Sequence, residues 1–251
     1  MTIFRKLDIH PFTYMIILLS LFTGLFKELS YIMILFIIHE IGHIIPAIYF
    51  RWNIEKIIIL PFGGLIIFNE KLNKSMTEEL IITICGPIFQ IIGYAILKNT
   101  FNDLLYYYHI TILIFNLFPI HPLDGSKIIN ITLNYFFSYK LSHKLMIIIS
   151  VFLISITLLF SSHFNFNFFF FLTLILLFFK TIKELKNHEM HVNKFIFERY
   201  NYIFNFKKIK KIKSTNLYKM KRDHKHLFYN GKYYITENEI LKKKFDFKKK
   251  I

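Results

Sequence analysis

Residues 31–50 read YIMILFIIHEIGHIIPAIYF, and this run decides how the rest of the chain is read. It is an apolar helix-length segment interrupted by one polar cluster, His39-Glu40-Ile41-Gly42-His43. On a helix, residues four apart lie one turn apart on the same face, so both imidazoles can reach one metal ion. Glu40 stands beside the first histidine, where it can hold a water molecule and take its proton. Three ionisable groups at lipid depth are costly unless they serve one another or a ligand. The H-E-x-x-H spacing therefore points to a zinc-dependent hydrolytic site carried on a membrane helix.

The composition agrees with a membrane protein. The chain has 251 residues, is 54% hydrophobic and contains 31 phenylalanines. Six apolar runs stand out, roughly Phe12–Phe26, Tyr31–Phe50, Leu80–Leu97, Leu104–Ile120, Leu145–Phe160 and Phe164–Phe179. The first is read as a retained helix, since no small-residue cleavage site follows it. Cys85 is the single cysteine, which excludes an internal disulfide and cysteine-based zinc sites, and small buried packing is its expected role.

Charge divides the chain. Residues 181–251 hold 20 Lys and Arg against 7 Asp and Glu, whereas the first 180 hold 12 against 9. The long connections after runs two and four carry Arg51, Lys56, Lys71, Lys74, Lys127, Lys140 and Lys144; the short ones carry only Lys27 and Lys98. The positive-inside rule then places the long loops, the N-terminus with Arg5 and Lys6, and the basic tail in the cytoplasm. The expected division is a membrane domain over 1–182 and a basic cytoplasmic appendage over 183–251. The tail's lysines with interleaved Phe and Tyr also fit nucleic acid, but a basic segment after a last helix is the ordinary topological anchor and favours anionic lipid.

Two further segments carry information. Trp52 to Phe68, WNIEKIIILPFGGLIIF, has β-branched runs on either side of Pro61 and Gly63-Gly64, a strand, turn, strand pattern. It reads equally as a hairpin at the membrane edge beside the site and as a surface hairpin. Residues 116–125, NLFPIHPLDG, end the fourth run in two prolines and an Asp-Gly pair. Asp124 in that turn can be a third ligand that leaves one position open for water, or a turn-forming residue. Asn116 alone reads as an interface polar residue.

Together, H-E-x-x-H and N-x-x-P-x-x-x-x-D-G about 75 residues later resemble the site-2 protease family of intramembrane zinc metalloproteases, peptidase family M50. Gly86-Pro87 in run three and the PFGG of residues 61–64 fit the same pattern, and the resemblance covers about Met1 to Lys180. It implies one Zn2+ per chain held by His39, His43 and Asp124, Glu40 as general base, and Asn116, Gly63 and Gly64 as substrate-binding residues. The implied fold is an all-α polytopic membrane protein of about six spans, with a membrane-associated β-hairpin and a small C-terminal α+β appendage. The implied activity is regulated proteolysis of a membrane-associated protein substrate within the lipid bilayer, with a membrane regulatory partner.

Six spans, two cytoplasmic ends and a short appendage look most like the sporulation branch, whose substrate is a sigma-factor precursor. His226 to Phe245 resembles the strand, turn, strand, helix ending of a CBS domain, with Asn230-Gly231 as its turn. The competing readings are a zinc transporter or metal-binding membrane scaffold, and a di-metal desaturase-like enzyme. A transporter needs ligands along a route across the membrane, and a desaturase needs several histidine boxes.

Overall fold

In the computed structural model, the described residues are 7–60, 63–99, 103–161 and 168–246. Pro61 of the hairpin turn, Arg5 and Lys6 of the N-terminal charge pair, and the start of the sixth run at Phe164 lie outside them. The chain is a mostly helical membrane protein. It forms two compact units, one of residues 1–70 and 80–118 and one of residues 71–79 and 119–251. Among the described residues three helices are long and apolar enough to cross a membrane, Phe26–Tyr49, Met76–Leu97 and Tyr139–Phe160.

The first unit begins with β1 (Leu7–Ile9) and α1 (Pro11–Thr23). Pro11 opens α1, where its missing N–H costs nothing, and His10 caps the helix by accepting from the Phe12 N–H. Gly24, at φ +76°, ends it in the left-handed conformation, and α2 (Phe26–Tyr49) follows after Leu25. α2 therefore starts five residues before the apolar run read from the sequence. Its inner face packs Tyr31 and Leu35 against Leu105 and Ile112 of α4 (Asp103–Leu117).

The expected hairpin is present as β2 (Ile54–Leu60) and β3 (Gly63–Phe68), paired antiparallel. β1 adds to the far side of β2 in parallel, so among the described residues β3 is an edge strand. Ile54 and Ile57 of β2 are buried with Ala47 of α2 and Ile82, and Trp52 meets Phe68 edge to face at the hairpin base. This apolar seam holds the hairpin against the C-terminal half of α2.

α3 (Met76–Leu97) lies almost backbone to backbone on α2. A Cβ on Gly42 would sit 2.7 Å from the Phe89 Cβ and 2.9 Å from the Gly86 Cα. Small residues let helices meet this closely in a membrane, where packing, not solvent exclusion, drives association. Cys85, in the same contact, is half-buried, less enclosed than its composition suggests.

The second unit is built on α5 (Asp124–Phe136), α6 (Tyr139–Ser161) and α7 (Phe168–Asn201). α7 has 34 residues and continues well past the apolar run into charged sequence. The tail then folds as β4 (Lys208–Ile212), a 3-10 turn at Leu217–Lys219, β5 (His224–Tyr229), β6 (Tyr234–Thr236) and α8 (Glu237–Asp246). β4 pairs parallel with β5, and β5 antiparallel with β6 across Asn230 and Gly231, the latter at φ +84°. Phe195, Ile196, Met220, Phe228 and Leu241 form a core that includes Tyr139 of α6. β4 to α8 thus share a core with Tyr139 of α6 and with the second half of α7.

Arg199 is the polar centre of this unit. Its guanidinium, 3% exposed as a residue, donates to Asn73 Oδ1, the Lys221 and His224 carbonyls and Glu237. Burial alone would raise the Glu237 pKa, but the His226 hydrogen bond and the Arg199 charge hold it below the usual carboxylate value. Removing one partner of a buried pair costs about 3–5 kcal/mol, because the other charge stays buried. Arg199→Met should therefore lower the melting temperature of the purified protein by several degrees, read by a thermal-shift assay. An unchanged melting temperature would mean that the network contributes little.

Candidate metal centre

His39, Glu40 and His43 lie on α2 in the first unit, as the motif spacing requires. Both histidines are buried, and their Nε2 atoms face each other at 3.1 Å. His43 Nδ1 is 2.8 Å from the Ile82 carbonyl, which can only accept, so that nitrogen carries the proton. His39 Nδ1 is 3.0 Å from Gln90 Oε1, also an acceptor. With both protons on Nδ1, two Nε2 lone pairs point at one another, and like lone pairs at that distance repel. A cation bound between them removes the repulsion. Zn–N bonds of about 2.0–2.1 Å in tetrahedral geometry place two nitrogens about 3.3 Å apart, so the pair fits a zinc ion with little movement. Outer hydrogen bonds from Nδ1 are what metal-bound histidines usually carry.

Two glycines make the room. Gly86 of α3 lies under the His43 ring: a Cβ there would be 2.9 Å from Nδ1 and closer still to Cε1 and Nε2. A Cβ on Gly64 of β3 would be 2.6 Å from the Glu40 Cδ. Glu40 is thus held against the edge strand of the hairpin, and Gly63 is the first residue of that strand. Gly86→Ala should displace the His43 ring. The expected result is at least tenfold weaker zinc retention against a chelator, with helix content by circular dichroism unchanged. Wild-type retention would show that α3 can shift aside at no cost to the ligand.

Asn116 is in the last turn of α4, and its Nδ2 is buried without a hydrogen-bond partner among the described residues. Buried amides are normally satisfied, so an open donor here marks a place for an acceptor.

Asp124 belongs to the second unit. It is the first residue of α5, not a turn residue, with Leu123 as the N-cap. Asp124 is 5% exposed, and its carboxylate pairs with Lys127 Nζ at 2.8 Å. A carboxylate in a first helical turn is favoured by the helix dipole. The preceding loop is tied down on both sides. The His121 N–H donates to Ser150 Oγ of α6, and Thr181 Oγ1 of α7 donates to the His121 carbonyl.

Sequence reasoning missed a second polar cluster in this unit. The Glu184 carboxylate of α7 gathers His143 Nε2 at 3.0 Å, His191 Nε2 at 3.4 Å and His121 Nε2 at 3.9 Å. The His143 hydrogen bond, foremost, holds the Glu184 pKa below its ordinary value. Glu184, His188 and His191 repeat at helical spacing, a signal that was readable but was masked by the basic composition around it.

A histidine pair on a membrane helix with an adjacent glutamate, closed over by a glycine-bearing hairpin, defines a membrane-embedded metal-site protein of the H-E-x-x-H type. Comparison with known proteins agrees. Residues 28–101 match the model of peptidase family M50. Stage IV sporulation protein FB of Bacillus subtilis is 35% identical over 150 residues, 56% of this chain and 52% of that protein. A zinc metalloprotease of Methanocaldococcus jannaschii is 36% identical over 136 residues, 49% of this chain and 39% of that one. The solved site-2 protease from the same archaeon superposes with a TM-score of 0.53 at 28% identity, covering 71% of this chain and 89% of that one. The chain is thus similar to peptidase family M50 over residues 28–101 and to stage IV sporulation protein FB. It spans about half or less of the curated relatives' lengths.

Proposed function

We propose that this chain is an intramembrane zinc metalloprotease that cleaves a membrane-associated protein substrate. The observation that carries the reading is the pair of facing Nε2 atoms with both Nδ1 atoms occupied, beside Glu40. In this reading His39, His43 and Asp124, the residues that the sequence resemblance implies, hold the ion; two imidazoles with a carboxylate are a common catalytic zinc set. Zinc supplies Lewis-acid polarisation of the scissile carbonyl and of water.

The chain's own residues do the rest. Glu40 takes the proton of the attacking water and passes it to the leaving amine. The open edge of β3, passing Glu40 at Gly64, holds an unwound substrate segment in extended form by strand addition. The Asn116 amide donates to a substrate backbone carbonyl.

The likeness to stage IV sporulation protein FB supports a role in sporulation; the substrate is then the sigma-factor precursor that the sequence resemblance implies, cleaved near the cytoplasmic face, with a membrane partner that restrains the enzyme. Six spans with both termini cytoplasmic follow from the loop charges, with residues 183–251 as the appendage that meets the substrate's cytoplasmic part. Reporter fusions at Lys98 should report outside, and fusions at Lys74 and Lys140 inside; the reverse pattern excludes a cytoplasmic precursor. Co-expression with a sigma-factor precursor carrying a membrane-associated pro-segment tests the activity. Loss of the pro-segment with the wild-type chain is expected. Full zinc without cleavage of that or any single-span substrate would favour a metal-binding scaffold.

A further inference from the structure

We propose that Gln90 is a positioning residue of the metal centre. With the His109 backbone carbonyl it fixes the His39 imidazole as the Nδ1–H tautomer, which turns the Nε2 lone pair toward the metal. The inference rests on the zinc reading above and adds a residue that the motif does not contain.

Its polarity is settled by one atom that has no choice. The His109 carbonyl of α4 can only accept, and it lies 3.1 Å from Gln90 Nε2. The amide nitrogen therefore faces α4, and Oε1 faces His39 Nδ1 at 3.0 Å. Oε1 can only accept, so His39 Nδ1 must donate. The second amide N–H points at His109 Nδ1, 3.4 Å away. The amide is thus saturated: two donors on His109, one acceptor on His39.

The surroundings make the link rigid. Gln90 is fully buried, and His109 is 4% exposed. The His109 ring stacks flat on Tyr94, with centroids 4.3 Å apart and planes 8° from parallel. A buried amide is costly when any of its groups lacks a partner, so this one has a single comfortable orientation. The two histidines differ in how they are held. His43 leans on a backbone carbonyl, which substitution cannot remove. His39 leans on a side chain, so Gln90 is the replaceable support of the pair. The link also joins three helices, from His39 on α2 through Gln90 on α3 to His109 on α4.

A purely structural role predicts the opposite ranking of substitutions from a positioning role. Leucine suits a lipid-depth interior better than a carboxylate does, so packing alone would favour Gln90→Leu over Gln90→Glu. Positioning needs an acceptor for the His39 Nδ1–H, which Glu keeps and Leu lacks. The test uses the full chain purified in detergent. It measures the zinc dissociation constant by competition with a chromophoric chelator, and the visible spectrum of the cobalt-substituted protein.

Losing an outer partner of a metal-bound histidine typically weakens binding about 10–100-fold. That loss is expected for Gln90→Leu, with an altered cobalt spectrum, while Gln90→Glu stays close to wild type. Where the leucine variant does not fold, Gln90→Met makes the same comparison. Wild-type zinc affinity in the apolar variant, with His39→Ala losing zinc, overturns the proposal alone. A wild-type chain from which His39→Ala removes no zinc overturns the zinc reading itself, and the proposal with it.

Discussion

Glu40→Gln is expected to abolish proteolysis and leave zinc binding intact. Glutamine keeps the shape and volume of the side chain that Gly64 accommodates, so the hairpin stays seated. It cannot take a proton from water. General-base catalysis is typically worth about 10²–10⁴ in rate, and the loss should be at least in that range. The metal should remain, because His39 and His43 keep their Nδ1 supports on Gln90 and Ile82. Two measurements decide it: cleavage of a co-expressed substrate, and metal content of the purified variant. Cleavage within about tenfold of wild type would remove Glu40 from the base role. Loss of zinc as well would mean that the carboxylate supports the ligands directly.

The same residues explain how far the sequence could be read. The H-E-x-x-H pair, the glycine-bearing hairpin and the main apolar helices are local patterns, each written in one short continuous stretch of chain. They were legible for that reason. What was not legible depends on atoms far apart in the chain. Arg199 meets Asn73 from 126 positions away, and Arg222 pairs with Glu79 at 2.6 Å. In composition both are two more cations of a basic tail, which reads as solvated. Burial of a guanidinium is decided by partners that no local pattern announces. β1 escaped notice as a three-residue strand that exists only by pairing with β2. α5 was hidden by the prolines before it and by the Asp-Gly pair that opens it, which read as loop. Gln90 looked like a stray polar residue in an apolar helix. Only the positions of His39 and His109 show what each of its amide atoms does.

Asp124→Ala is expected to lower zinc occupancy together with activity. The argument starts from what holds the carboxylate. Asp124 opens α5 behind a loop pinned by Ser150 and Thr181, so its backbone position does not depend on its own side chain. Alanine is a good helix former and leaves α5 in place. The change therefore removes the proposed third ligand without unfolding its support. Two histidines alone make a weak site, and zinc should be lost on dialysis against a mild chelator that the wild type survives. Asp124→Asn keeps one neutral oxygen and should fall between the two. His121→Ala is the comparison that matters. Its imidazole contacts Glu184, and its backbone bonds survive the substitution. Zinc content should follow the order wild type and His121→Ala, then Asp124→Asn, then Asp124→Ala. Full zinc in Asp124→Ala with loss in His121→Ala would make the histidine of the NLFPIHPLDG loop the third ligand, and Asp124 the partner of Lys127 alone.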